Sequence, residues 1–108
     1  NDFASASISL RESLRFYKLK RLDSDTASTL HVLGRVLDKS GEFTASRECY
    51  EEALDLRKNT LGIDDLLLAS TQHCFACLLL KKNGTDDSAF DLLAEALSTR
   101  ERKLGKES

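Results

Sequence analysis

The chain contains no proline and no tryptophan among its 108 residues, and aromatic residues make up only 6% of it. Because proline removes a backbone donor and clashes inside a helix, its absence leaves long helices uninterrupted. Long apolar runs are missing too: runs such as residues 77–80 fall far short of the roughly 20 residues that span a bilayer. The sequence therefore predicts long helices and no membrane partner.

An excess of basic charge is also missing. The formal net charge is −2, whereas a nucleic-acid-binding domain normally carries a basic footprint, so we expect no nucleic-acid partner. The three cysteines are Cys49, Cys74 and Cys77. An odd number argues against a disulfide framework and favours a reducing compartment, here the cytoplasm.

No secretory signal is visible at residues 1–4, which lack both a basic start and an apolar run. The first residue is not methionine, and the sequence reads as a fragment of a longer protein. Hydrophobic residues make up 41% of the chain, enough for an ordinary soluble core, and charged residues 31%, which suits solvated helices.

Three pairs of segments resemble one another at offsets of 40, 42 and 43 residues. The matched pairs are 1–6 with 41–46, 27–29 with 69–71, and 53–62 with 96–105. Such offsets indicate one repeated unit of about 42 residues, and a regular repeat is the sequence signature of a repeat architecture.

Each unit is predicted to contain two helices. Leu30, Leu33, Gly34 and Leu37 recur at the spacing of one helical face. The first helix of a unit is predicted at 26–39 and 66–82, and the second at 3–18, 42–58 and 86–103. The short link at residues 39–42 makes neighbouring helices antiparallel.

Helix ends are marked by residues that commonly cap helices. The predicted N-terminal caps are Ser24 or Asp25, Asp64 or Asp65, and Asp86 or Asp87, and the predicted C-terminal glycines are Gly41 and Gly84. We divide residues 1–108, taken as a single array fragment, into a lone second helix at 1–18 and full repeats at 25–62 and 65–105.

These features resemble the tetratricopeptide pattern W-x2-L-G-x2-Y, A-x3-F. The middle unit reads Leu30-x2-Leu33-Gly34-x2-Leu37 and then Ser46-x3-Tyr50, Ala53; the last reads Gln72-x2-Phe75-Ala76-x2-Leu79 and then Ala89-x3-Leu93, Ala96. The long period and the helix end Ala53-Leu54, Arg57, Leu61-Gly62 resemble the kinesin-light-chain subtype. Departures are the missing terminal proline and the histidines His31 and His73, where that subtype often has asparagine.

The resemblance implies an all-α fold, a right-handed superhelical α-solenoid of stacked hairpins whose first helices line a concave face. It further implies a scaffold that binds a protein or peptide in this groove, with no enzyme activity and no cofactor. The predicted groove residues are Ser28, His31, Arg35, Asp38, Lys39, Ser70, His73, Cys77 and Lys81. Stacking is expected to bring His31 and His73 side by side.

Charge separates the two predicted faces. The charged residues of the first helices are mostly basic, such as Arg35, Lys39 and Lys81, while the second helix at 42–58 is rich in glutamate. A basic groove favours an acidic peptide, extended or helical.

Other interpretations remain open. The Cys74-x-x-Cys77 motif beside His73 could hold zinc, although zinc usually takes four ligands, or it could be two small packed residues. The array could instead serve as a sensor or oligomerisation segment, and exposed ends of an array could self-associate.

Overall fold

The computed structural model describes residues 2–61, 65–84 and 86–104. Five helices occupy these ranges, and no strand occurs in them. They are α1 (Phe3–Leu19), α2 (Asp23–Lys39), α3 (Phe43–Leu61), α4 (Leu66–Asn83) and α5 (Asp87–Leu104). The all-α prediction is confirmed, and the predicted bounds are close, the largest differences being the start of α2 and the end of α3.

Consecutive helices pack against each other along the chain, and α2 also contacts α4. This order places α2 and α4, the first helices of the two predicted repeats, side by side. None of the described helices is long and apolar enough to cross a bilayer.

The turns after α1 and α2 share one backbone geometry. Leu22 donates its backbone N–H to Tyr17 at 3.0 Å, and Glu42 donates to Leu37 at 2.9 Å. Both turns contain a residue with positive φ, which is Arg21 (57°) in the first and Gly41 (86°) in the second. This is the common left-handed helix ending, which favours glycine.

The predicted caps are mostly confirmed. The Asp65 side chain accepts from the Leu67 N–H at 2.7 Å, Asp86 accepts from the Ala89 N–H at 3.2 Å, and Gly84 has a φ of 79°. Asp64 lies outside the described residues. The prediction of a cap at Ser24 or Asp25 is wrong.

The start of α2 has a different cause from the one predicted. The helix begins at Asp23, and Leu22 precedes it without any side-chain cap. The left-handed turn at Arg21 leads the backbone directly into the helix. Asp23 and Asp25 then lie in the first turn, where carboxylates interact favourably with the helix dipole.

A tyrosine lies at the centre of the core. Tyr50 is 2% exposed and packs near Phe75 with ring centroids 6.0 Å apart. Gly34 leaves room for this ring on α2, and Ser46 donates its hydroxyl to the Gly34 carbonyl at 2.7 Å. The α2–α3 hairpin is therefore held by a close helix approach, a buried ring and a buried hydrogen bond.

Candidate partner-binding groove

A pocket of about 250 Å³ opens between α2 and α4, with Tyr50 of α3 among its lining residues. Five of the nine predicted groove residues line it: Arg35, Asp38, Lys39, His73 and Cys77. The pocket exists because α2 and α4 lie next to each other on one face of the array. We define the groove as this pocket together with Ser28 and Lys81 along the same two helices.

Lys81 of α4 bonds to Asp38 of α2 across the groove. The Lys81 Nζ lies 3.1 Å from each carboxylate oxygen of Asp38. The ammonium of Lys81 is thus neutralised within the protein. The side chains of Arg35 and Lys39 make no hydrogen bond or ion pair with the rest of the described chain, so they supply the available positive charge of the groove.

His31 does not point outward as predicted; it is 9% exposed. Its Nδ1 lies 3.1 Å from the Thr71 hydroxyl, and its Nε2 lies 3.9 Å from the Cys74 sulfur. The ring packs edge-on against Tyr50. His31 is therefore part of the contact between the two repeats, because its ring fills the space between α2, α3 and α4.

Burial lowers the pKa of His31 to about 4, and the positive charges of Arg57 and Arg35 act in the same direction. The imidazole is therefore neutral near pH 7. His73, by contrast, is only partly buried on α4. The two histidines occupy equivalent sequence positions but different environments.

The two cysteines of the α4 motif differ in exposure. Cys77 is exposed, with its sulfur 3.6 Å from the His73 Nε2, while Cys74 is partly buried behind it. Burial raises the pKa of the Cys74 thiol. Among the described residues, no three histidine, cysteine or acidic side chains are arranged to hold a metal ion.

Ser28 and Ser70 also differ in burial, but in the opposite sense to the histidines, since here the α2 residue is the more exposed one. Ser28 is exposed on α2, whereas Ser70 is partly buried on α4. The Ser28 hydroxyl accepts a hydrogen bond at 3.3 Å from the Nη2 of Arg57. Arg57 lies on α3 and was not among the residues predicted for the groove.

Arg57 extends from α3 between the two helices of the groove. Its Nη1 donates to the Leu67 carbonyl at 3.0 Å and to the Thr71 hydroxyl at 2.7 Å, both on α4. Together with the Ser28 contact, these bonds join three helices from two repeats. The recurrence of arginine at 57 and 100 was the available sequence signal for this role.

Antiparallel helix pairs with this shared interior define the class of helical-hairpin repeat proteins, built by stacking similar units. Residues 25–102 match the tetratricopeptide repeat family, and the chain belongs to that family. No curated protein matches the chain. Members of the family serve in general as protein-interaction scaffolds, typically without catalytic activity.

Proposed function

We propose that the groove binds an acidic peptide segment of a protein partner, as kinesin-light-chain-type arrays bind cargo or adaptor proteins. The observation that carries this proposal is that two of the three cations along the groove form no ion pair within the described chain. Lys81 forms an ion pair with Asp38. Arg35 and Lys39 line the pocket and form no ion pair with any carboxylate of the described chain. Charges of one sign on a concave surface orient and attract a segment of opposite charge.

The exposed face of α3 carries acidic residues. Glu48, Glu51 and Glu52 are exposed on α3, away from the groove-lining set. Because Glu51 and Glu52 form ion pairs with Arg47 and Lys18, this helix repels an acidic segment only weakly, and the preference for the groove depends on the groove cations. Free thiols at Cys49, Cys74 and Cys77 fit the cytoplasm, where thiols stay reduced.

A second candidate function is oligomerisation through the outer helices, within a sensor or other signalling protein. Leu97 and Leu104 of α5 are 58% and 56% exposed, and Ile8 and Leu19 of α1 are 62% and 76% exposed. Apolar side chains exposed at both outer helices favour self-association. Sedimentation of the purified chain over a range of concentrations tests this candidate.

The proposed peptide binding is tested with a set of fluorescent peptides that carry zero, one or two glutamates in a neutral Ser/Ala background. We expect binding to strengthen with each glutamate and to weaken as salt is added, because charge attraction carries it. Reversing the free cations, as Arg35→Glu with Lys39→Glu, should reduce the affinity at least about 10-fold.

The matched control is the same change of charge outside the groove, Arg15→Glu with Lys103→Glu on α1 and α5. Both residues are exposed and belong to second helices. If the control and groove variants lose affinity equally, the net charge of the protein explains binding and the groove does not. If neither variant weakens binding, the proposal is contradicted directly.

A further inference from the structure

Among the residues that the structure describes, Arg57 is a buried cation without a matching anion. The side chain is 5% exposed, and its described hydrogen-bond partners are the Leu67 carbonyl, the Thr71 hydroxyl and the Ser28 hydroxyl. All three acceptors are neutral. A buried charge in a protein is normally paired with an opposite charge, since removing an ion from water is costly.

Among the described residues, no neighbouring group neutralises the charge of the guanidinium through an ion pair. Burial lowers the pKa of Arg57, and Asp65 acts against this effect without forming an ion pair with it. Within the described ranges, no carboxylate forms an ion pair with Arg57. His31, bonded to the same Thr71 hydroxyl, is neutral near pH 7 and adds no second charge.

One side of the guanidinium leads to the surface. Ser28 is exposed, and the contact from Arg57 Nη2 to its hydroxyl, at 3.3 Å, is the longest of the three. An arginine side chain has five N–H donors, and three are used in these contacts. A carboxylate oxygen beside Ser28 could accept from the serine hydroxyl and from Nη2 together, and such charge-assisted bonds are stronger than neutral ones.

We propose that Ser28 and Arg57 form an anion-recognition point, at which a carboxylate of the bound partner segment docks. This inference rests on the proposed function, because the point lies on α2 in line with the groove cations. It adds a buried anchor to a site otherwise composed of exposed charges. A buried, pre-positioned arginine discriminates more strongly between ligands than a mobile surface lysine, because its planar donors fit a carboxylate.

The position of this anchor defines the class of peptide. Ser28 and Arg35 are seven residues apart on α2, which corresponds to about 10 Å along a helix at roughly 1.5 Å per residue. A peptide in the extended polyproline II conformation covers that distance in about three residues at roughly 3.1 Å each, and its side chains three positions apart lie on the same face. The preferred ligand is therefore an extended segment with two carboxylates three positions apart, one at Ser28 and Arg57 and one at Arg35.

The first test needs no ligand and compares Ser28→Asp with Ser28→Asn, which have nearly the same shape and differ in charge. The aspartate supplies the anion from within the chain, so its Tm should exceed that of the asparagine variant by about 4 °C or more. The difference should shrink at pH 3, where the carboxylate is protonated. It should also disappear in an Arg57→Gln background.

A control separates this effect from the general preference for acids near a helix start. Ser9 is exposed and lies about as far from the start of α1 as Ser28 lies from the start of α2. The difference in Tm between Ser9→Asp and Ser9→Asn therefore gives the general effect of the charge. An excess at Ser28 over Ser9 supports the anion-recognition point. An equal difference at the two serines, or a lower Tm for Ser28→Asp than for Ser28→Asn, overturns it. This comparison decides the matter even where Arg57→Gln fails to fold.

The second test measures affinity for fluorescent Ser/Ala peptides whose two glutamates are spaced one, three or five positions apart. The three-position peptide should bind best, and Ser28→Asp should weaken it about 10-fold more than Ser28→Asn does, because the added carboxylate engages the guanidinium and repels the ligand. If Arg35→Glu weakens binding but Ser28→Asp does not, the anchor is wrong while the proposed function stands. If no glutamate peptide binds, both the proposed function and the anchor for a partner are wrong.

Discussion

Gly34 of α2 lies directly against the ring of Tyr50 on α3: a Cβ added at Gly34 would lie 3.0 Å from Tyr50 Cε1 and 3.1 Å from its Cζ. The ring cannot easily move away, since Tyr50 is 2% exposed and also packs near Phe75 and His31. The close approach of the two helices therefore depends on the absence of a side chain at position 34.

Replacing this glycine by a larger residue should separate the hairpin. We expect Gly34→Leu to lower the free energy of unfolding by about 1–3 kcal/mol, the usual cost of overpacking. Thermal or urea unfolding followed by circular dichroism measures the change. Val32→Leu, on the partly exposed side of the same helix, is the control and should change stability little. Unchanged unfolding of Gly34→Leu would contradict the packing of α2 on α3.

Arg21 holds a backbone conformation that favours glycine, with a φ of 57°. The equivalent position after α2 is Gly41, and the two turns make the same pair of backbone hydrogen bonds. We expect Arg21→Gly to raise the free energy of unfolding by about 0.5–1 kcal/mol, because a left-handed conformation strains a residue with a Cβ. Chemical unfolding provides the measurement.

A glycine one position earlier serves as its control. Lys20 has ordinary right-handed geometry, with a φ of −85°, so Lys20→Gly should give no gain. A stabilised Lys20→Gly, or an Arg21→Gly that is less stable than the wild type, would show that strain at Arg21 is not what limits the turn.

Acid should destabilise the protein through His31. Its pKa in the folded state is about 4, below the value of about 6.5 for an unfolded chain. The unfolded chain therefore takes up the proton first as the pH falls. The contribution of neutral His31 to the free energy of unfolding is fully present above pH 6.5. It is lost as the pH falls from there toward 4, by on the order of 3 kcal/mol across this window.

The measurement is the free energy of unfolding between pH 7 and pH 5, a range chosen because most carboxylates do not yet titrate. His31→Asn keeps a polar group near Thr71 and cannot titrate, so its stability should depend less on pH. His73→Asn removes the other imidazole and should keep the wild-type dependence. The same slope in all three proteins would refute a neutral buried His31.

The periodic apolar residues were sufficient to predict the helices and their order. Gly41, Gly84 and Asp65 were predicted correctly because their roles depend on local backbone geometry. The turn at Arg21 could not be predicted in the same way, since arginine rarely has a positive φ. As a result, the start of α2 was assigned three residues late, at 26 rather than Asp23.

The groove was predicted less completely than the fold. Helical spacing predicted that Arg35, Lys39 and His73 share a face, and they line one pocket. Spacing alone could not separate the buried His31 from the partly exposed His73. Arg57 was recognised in the sequence only as part of the helix-end motif and not as a groove residue, although it is almost fully buried. Its role depends on acceptors from two other helices, and such three-way contacts have no signature within one segment of sequence.

Helix α1 and helix α2 differ in how many of their residues are buried. α1 contains no buried residue, whereas α2 behind it has eight, among them Ala27 and Leu30. Within the described chain, α1 is therefore held less firmly than α2, and its separation would give water access to the apolar side of α2. The hairpin that carries Arg35 and Lys39 is thus shielded on that side by a helix that buries none of its own residues.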